Sequence, residues 1–360
     1  MTSPFAGRDG AVGDPPQHYG DPIGEQRGLA SGARIVDLSH RDVVTVAGPD
    51  RLTWIDSLTS QSVARLAPGD SAETLLLDPS GRVQYAARIV DDGETAWLLM
   101  DEGTGAGFAS FLERMRFMLR VEVADRSADY ATIGTFGDAP AATAVSNDVP
   151  LVWVDPWAAV QPGGHQYASG AHDYAEWTYR EALVERARLS ELADLPAAGT
   201  YALDALRIAA WRPRAASELD ATTIPHELDW LRSAVHLAKG CYRGQETVAK
   251  VHNLGHPPRR LVMLHLDGSD AVLPEPGAEV RLGRPDADGA VVGRVTASAH
   301  HHELGPIALA VVKRSADPAS ELTVDADGVL VPAAQEVIVP PSAGATADVP
   351  RIPRLGSVRR

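Results

Sequence analysis

Lys239-Gly240-Cys241-Tyr242-Arg243-Gly244-Gln245-Glu246, continued by Thr247-Val248-Ala249-Lys250, is the stretch on which the reading of this chain turns. Gly240 and Gly244 permit a tight backbone path, and Gln245 to Lys250 has the composition to begin a helix. Cys241 then sits on a loop entering a helix. Backbone N–H groups at such a place, with Lys239 and Arg243 alongside, favour the thiolate and lower a cysteine's pKa. The same residues also suit a small buried hydrophobe between two turn-forming glycines. Cys241 is the chain's single cysteine. An internal disulfide and a four-thiolate cluster site within one chain are therefore excluded, and Cys241 is either structural filler or a functional thiol.

Working outward, Leu75-Leu76-Leu77 runs into the turn signature Asp78-Pro79-Ser80-Gly81, and Val83 to Val90 resumes strand-like composition, which predicts a hairpin. Val43 to Val46 predicts a strand stopped by Gly48-Pro49-Asp50, with Asp50 capping a helix over Arg51 to Ser57. Phe108, Phe111, Leu112, Met115 and Leu119 recur at helical spacing, a core stripe rather than a cofactor surface. Tyr130 to Ala168 repeats short strands, and Tyr174 to Leu192 reads as a helix. After Pro257-Pro258, the segments Arg260 to Leu266, Ala278 to Leu282, Ala290 to Ser298, Ile307 to Val312 and Gln335 to Val339 predict a small antiparallel barrel or sandwich. The fold class expected is α+β. Residues 1–30 are expected as a disordered tail, 31–125 and 126–257 as two α+β domains, 258–340 as a C-terminal β-barrel, and 341–360 as a second tail.

The 360 residues exceed what one core usually serves, in keeping with several domains. A net charge of −15 and a pI near 5.2 give phosphate-backbone binding little long-range support, so nucleic acid is not an expected partner. A local basic pocket still admits a small anion. No apolar run approaches membrane-spanning length and no secretory signal opens the chain, so no membrane is expected and the location is read as cytoplasmic.

As a whole, the octapeptide resembles the K-G-C-Y-x-G-Q-E signature of the YgfZ family, with Arg243 in the variable slot. Leu206 to Ala210, Ile224-Pro225-His226-Glu227, Gly255, Pro257 to Leu261 and Gly293-Arg294-Val295-Thr296 resemble further family elements. So do Asp37-Leu38-Ser39, Gly48-Pro49-Asp50 and Leu58-Thr59-Ser60-Gln61 near the start. The resemblance covers about Ala33 to Val339. It implies the aminomethyltransferase superfamily, with three domains in a ring around a central channel for tetrahydrofolate or a one-carbon derivative, and an accessory role in assembling or repairing iron-sulfur enzymes. Iron-sulfur enzymes or their assembly factors are the implied partners. Lys239, Cys241, Gly244, Gln245 and Glu246 carry over as the functional motif, with Cys241 as the reactive thiol and the others, joined by Tyr242, Thr59 and Gln61, as candidate folate contacts.

The chain departs from its enzyme relatives where the glycine-cleavage T-protein carries acids. Gln84 and Tyr85 follow the hairpin turn in place of an Asp-Asp pair, and Ala209 stands where a Glu binds the pterin. An amide, a phenol or a methyl cannot replace an ionised carboxylate in proton transfer, so aminomethyl transfer is disfavoured. The alternative, a folate-dependent one-carbon transferase, needs an acid recruited from elsewhere, such as Asp91 or Asp92. Trp211 occupies a slot where relatives have Gly.

His300-His301-His302-Glu303 is expected as a solvated loop, because adjacent strand residues point to opposite faces. His252 and His256 have i, i+4 spacing, but Gly255 and Pro257 discourage a shared helix, and no metal site is expected. Gly103-Thr104-Gly105-Ala106-Gly107 is read as a helix-entry loop, since Asp101-Glu102 would repel phosphate.

Overall fold

The hairpin around Asp78 to Gly81 anchors the first of three units. The computed structural model describes residues 3–168, 172, 174–269, 271–285 and 289–347. Helix α1 (Pro22–Ala30) precedes strands β1 (Ile35–Asp37) and β2 (Asp42–Ala47), helix α2 (Arg51–Leu58), strands β3 (Ser71–Leu77), β4 (Val83–Asp91) and β5 (Thr95–Met100), helix α3 (Gly105–Met115) and strand β6 (Glu122–Asp125). The first sheet runs β3-β4-β5-β2-β6. Because alternate side chains leave opposite faces of a strand, Val44, Val46, Leu76, Ile89 and Leu98 pack with Phe108 and Leu112 of α3, while Val43, Leu75, Leu77 and Leu99 turn inward.

The second unit adds β7 (Tyr130–Thr135), a short hairpin of β8 (Val145–Ser146) and β9 (Val149–Pro150), β10 (Val152–Val154), β11 (Arg180–Glu185), β12 (Ala197–Ala198) and helices α4 (Thr200–Ala209), α5 (Ala215–Glu218), α6 (Leu231–Ala234) and α7 (Gln245–Leu254). Its sheet runs β10-β11-β7-β1-β12, so β1 from the start of the chain belongs here. The segment 174–192, expected as one helix, is a 3-10 turn at Tyr174–Glu176, strand β11 and a 3-10 stretch at Arg186–Leu192. Ala182, Leu183 and Val184 are all buried because β11 lies between β10 and β7 and is covered on both faces. Pairing on both edges overrides the helix propensity of Glu, Ala and Arg.

The third unit is a closed antiparallel barrel, β13-β16-β15-β14-β17-β18, built from β13 (Arg259–Leu266), β14 (Glu279–Leu282), β15 (Val291–His301), β16 (Gly305–Lys313), β17 (Leu322–Ala326) and β18 (Val329–Val337). Strand β17 is absent from the sequence reading; Thr323 and Asp325 interrupt its apolar run, and Thr323 is buried donating to the carbonyl of Gly283 at 2.7 Å. The Arg259 guanidinium clamps the barrel to the second unit, its Nε and Nη2 donating to the two carboxylate oxygens of Glu227 at 2.9 and 2.7 Å.

The expected N-terminal tail is the clearest departure. Phe5 is fully buried beside Ile35, Ile133, Val184 and Leu189. Arg8 donates to the carbonyls of Leu192, Ala193 and Leu195. Asp21 caps α1 by accepting from the Gly24 N–H at 3.0 Å, with Pro22 at the first helical position. Gln26 reaches the barrel, donating to His300 O and accepting from His302 N–H. Single anchors such as Phe5 and Leu29 leave no periodicity to read. At the other end, Ala343 is buried and its carbonyl meets His256 Nδ1 at 2.8 Å, so residues 341–347 pack, while 348–360 of the expected tail lie outside the described residues. Asp50 does not cap α2; its carboxylate accepts instead from the backbone N–H and guanidinium of Arg120.

Candidate functional site

The octapeptide folds as a braced loop entering α7. Lys239, whose side chain is buried, points its ammonium inward and donates to the carbonyls of Asp56, Thr59 and Gln61 at 2.5, 2.9 and 2.7 Å, with the Asp56 carboxylate 3.3 Å away. Burial lowers its pKa, and Asp56 opposes the shift. Gly244 has φ +84, and a Cβ there would stand 2.6 Å from the carbonyl oxygen of Asp78 in the β3–β4 turn. Gln245 closes the loop by donating to the Lys239 carbonyl at 3.2 Å. Tyr242 is buried under the Lys239 ammonium, 5.5 Å from ring centroid to Nζ, and burial pushes its phenol pKa up.

This geometry reassigns most of the motif. Lys239, Gly244 and Gln245 hold the loop, and Thr59 and Gln61 serve Lys239 through their backbone carbonyls. The Thr59 hydroxyl donates to Ile55 O and the Gln61 amide to Ser233 O, so both side chains are spent inside the protein. Cys241 and Glu246 remain exposed. The two cations expected to favour a thiolate point elsewhere: Lys239 into the loop 56–61, and Arg243 toward Gln84 Oε1 at 3.5 Å and the Phe111 ring at 5.8 Å.

A second cluster, which the sequence reading missed, occupies the centre of the molecule. Arg212 Nη2 meets Glu73 Oε1 at 2.7 Å and its Nε meets Asp155 Oδ2 at 2.9 Å. Arg41 pairs with Glu181, and Arg88 lies 2.6 Å from Asp101 and 3.7 Å from Glu181. Burial pushes Glu181 up, and Arg41 and Arg88 outweigh it to hold the carboxyl below its usual range. Burial likewise raises Asp155, opposed by Arg212 and reinforced by Glu73. With Trp153, Trp177, Tyr179 and Trp230, the side chains of Arg41, Glu73, Arg88, Asp155, Glu181 and Arg212 surround a cavity of 40 Å³. Three of its buried polar atoms lack a hydrogen-bond partner: Arg212 Nη1, Trp230 Nε1 and Glu181 Oε2. The signal in the sequence was a charge inside each of three apolar strands, Glu73, Arg88 and Glu181. None of the eight residues singled out from the sequence lines this cavity.

The substituted acid positions lie in different surroundings. Gln84 is exposed on β4. Tyr85 packs on Phe108, ring centroids 5.4 Å apart. Ala209 lines a separate cleft of 480 Å³ with His172 and Trp177. Asp91 is spent on Arg51 Nε and Nη2 at 2.7 and 2.6 Å, and Asp92 on Trp97 Nε1 and the backbone of the β4–β5 turn, so neither is an acid recruited to the centre. Trp211 has φ +56, which explains the glycine of its slot: the chain leaves α4 through a left-handed residue. Its indole is buried 4.3 Å from the His172 ring.

Among the described residues, no group of three or more His, Cys, Asp or Glu is arranged to hold a metal. His252 Nδ1 meets the Tyr167 hydroxyl at 2.9 Å, whereas His256 lies past the end of α7. The solvated reading of 300–303 needs correction at His301. It is buried, accepts at Nδ1 from the N–H groups of Glu303 and Leu304, and burial pushes its pKa down to about 4.

Comparison with known proteins follows these observations. Residues 259–341 match the glycine cleavage T-protein C-terminal barrel domain. The fold is that of aminomethyltransferase T. The crystal structure of glycine cleavage system aminomethyltransferase T from Bartonella henselae superposes with a TM-score of 0.67 at 17% identity, covering 88% of this chain and 89% of that one. An aminomethyltransferase of Saccharopolyspora erythraea is 28% identical over 339 residues, 88% of this chain and 89% of the relative. A mitochondrial iron-sulfur cluster assembly factor IBA57 homolog of Mycosarcoma maydis is 25% identical over 332 residues, 80% and 76% of the two chains. Fold and relatives together support the aminomethyltransferase superfamily. No helix among the described residues is long and apolar enough to cross a membrane.

Proposed function

We propose that this protein is a cytoplasmic, YgfZ-type accessory factor for iron-sulfur proteins, which holds a tetrahydrofolate at its centre and offers Cys241 to a partner. The observation that carries the reading is the exposed thiol on a loop fixed from below by Lys239, Gly244 and Gln245. Such bracing presents a side chain outward at little entropic cost on association. One thiol cannot hold a cluster alone, so Cys241 acts as one ligand or one nucleophile shared with a client. The relative named as an iron-sulfur cluster assembly factor supports this direction.

The central cavity suits a pterin in its chemistry. Arg212 Nη1 and Trp230 Nε1 are donors without a hydrogen-bond partner, and Glu181 Oε2 is an acceptor without one, its nearest cation being Arg88 Nε at 3.7 Å; together they complement an amino-pyrimidinone edge, and indole walls flank them. Its 40 Å³ takes only a few water molecules, so the lining side chains have to move to admit the ring. When bound, tetrahydrofolate supplies a one-carbon carrier. Arg212, Trp230 and Glu181 would orient it, and the three tryptophans would exclude water.

The second reading, aminomethyl transfer, has the relatives named aminomethyltransferase behind it. Against it, positions 84, 85 and 209 offer no carboxylate and Asp91 and Asp92 are engaged elsewhere. Calorimetric titration of tetrahydrofolate, with product analysis after incubation with methylene-tetrahydrofolate, separates the two. Saturable binding without turnover is expected; turnover would establish the transferase, and absence of binding would remove the folate from the proposal.

A further inference from the structure

The chain leaves α3 through Arg114-Met115-Arg116-Phe117-Met118-Leu119-Arg120, apolar side chains interleaved with arginines. Phe117 is 92% exposed and Met118 90%, whereas Leu254, the next of the large apolar residues among those described, is 63% exposed. Met115 and Leu119 flank the pair and are exposed as well. The Leu119 N–H donates to the Arg116 carbonyl at 3.1 Å, closing a turn that holds the two side chains outward as a knob. Phe117 also carries φ +51. A bulky residue in the left-handed region costs the fold energy, and here no burial offsets it, which points to a role outside the chain.

The cations around the knob are only partly answered. Arg114, in the last turn of α3, donates to the Ser110 hydroxyl at 2.9 Å and has no acidic partner among the described residues. Arg116 has Glu113 at 3.5 Å, with both side chains 42% exposed, so water screens the pair. Arg120 is committed to Asp50 at 2.8 Å. Arg243 lies over the Phe111 ring, one turn of α3 before Met115, and meets the Gln84 amide oxygen at 3.5 Å. The basic surface therefore runs from the knob toward the thiol loop. The chain as a whole carries −15, but charges more than about 8 Å away are largely screened at physiological salt, and the local sign governs a contact at the knob.

We propose that this knob seats the protein on an anionic lipid surface, with Phe117 and Met118 in the headgroup boundary and Arg114 and Arg116 on lipid phosphates. Peripheral attachment of this kind grows with the apolar area inserted and with the attraction of basic side chains for anionic headgroups, and the knob offers both. A convex tip also suits a surface that yields to it. Isologous pairing of two copies would set like-charged arginines against each other, so a second copy is the poorer occupant. The attachment needs no spanning helix, agrees with a cytoplasmic location, and is independent of the folate and thiol readings.

The test is co-sedimentation of the full chain with vesicles of phosphatidylcholine alone and of phosphatidylcholine mixed with phosphatidylglycerol, beside sedimentation velocity without lipid. Binding to the phosphatidylglycerol vesicles is expected, and it should be lost in about 1 M salt, where the Debye length falls to about 3 Å. Phe117→Asp/Met118→Asp should weaken it about tenfold or more, and Arg114→Gln about fivefold. Leu254→Asp, at the other end of α7 from the thiol loop, should bind as the parent does. Aspartate accepts a left-handed backbone more readily than phenylalanine and both replaced side chains are exposed, so the double variant should keep the parent's thermal unfolding. No binding of the parent to phosphatidylglycerol vesicles, or equal binding by parent and double variant, overturns the proposal. Equal binding to both kinds of vesicle, or equal weakening by Leu254→Asp, would show general adsorption and overturn it as well. A dimer in the absence of lipid that the double variant dissociates would give the knob to a second copy instead.

Discussion

Arg212 and Glu73 meet 2.7 Å apart in the interior, joining the segment after α4 to strand β3 of the first sheet. Both side chains are almost wholly buried, and Arg212 also holds Asp155 of the second unit at 2.9 Å. Glu73 in turn accepts from the Ser233 hydroxyl at 2.8 Å. The units are therefore fixed to each other by polar contacts between almost wholly buried side chains.

Replacing Arg212 with Ala strands two carboxylates in the interior. Removing one partner of a buried pair typically costs about 3–5 kcal/mol, because the remaining charge keeps its desolvation penalty. Urea unfolding of Arg212→Ala should show a loss of that order. A loss below about 1 kcal/mol, the worth of a surface pair, would mean that the network is hydrated.

How much of this was legible in the sequence depends on whether a feature is local. The β3–β4 hairpin was, because Asp78, Pro79 and Gly81 are turn residues between two apolar runs, and most barrel strands were for the same reason. Strand β11 was not, since Arg180 to Glu185 becomes a strand only through partners 26 or more residues away. The motif announced its loop and its helix, but which residues face inward depends on loop 56–61, distant in sequence. The central charges were not legible: Glu73, Arg88 and Glu181 are single charges within strands, and only the fold places their counter-ions around them.

Cys241 should react as a free thiol in the native state. One equivalent of N-ethylmaleimide is expected to label the folded protein, with peptide mass mapping to Cys241, since the residue is exposed. Cys241→Ser should abolish labelling and shift unfolding by no more than about 0.5 kcal/mol, as surface substitutions do. Labelling only after denaturation would show that the thiol is covered.

Asp229 gives the protein a pH signature. Its carboxyl is fully buried and accepts from the Tyr167 N–H at 2.6 Å, while burial pushes its pKa up to about 7 against the pull of that bond and of Arg232. The folded-state value thus lies above the unfolded one, so the folded chain holds the extra proton. This contribution is complete below about pH 4 and is lost as pH rises through about 7. Three pK units correspond to about 4 kcal/mol at most. Denaturation of the parent and of Asp229→Asn from pH 5 to pH 8 should show the parent losing stability relative to the variant. Parallel profiles would mean that Asp229 is ionised throughout.

The two glycines of the octapeptide should separate cleanly. Gly244 carries φ +84, and a Cβ there would approach the Asp78 carbonyl to 2.6 Å and Leu77 Cβ to 3.0 Å. Gly244→Ala therefore adds a left-handed backbone penalty of about 1–2 kcal/mol to a clash with backbone that cannot rotate away. Gly240 has no atom within 4 Å of its would-be Cβ and no positive φ. Gly240→Ala should be neutral or slightly stabilising, because it removes freedom from the unfolded chain. Thermal unfolding of both variants, with hydrogen exchange across residues 239–250, should show protection lost in Gly244→Ala alone. Equal loss in both would mean that the thiol loop owes its shape to its small residues in general rather than to the contact between Gly244 and the β3–β4 turn.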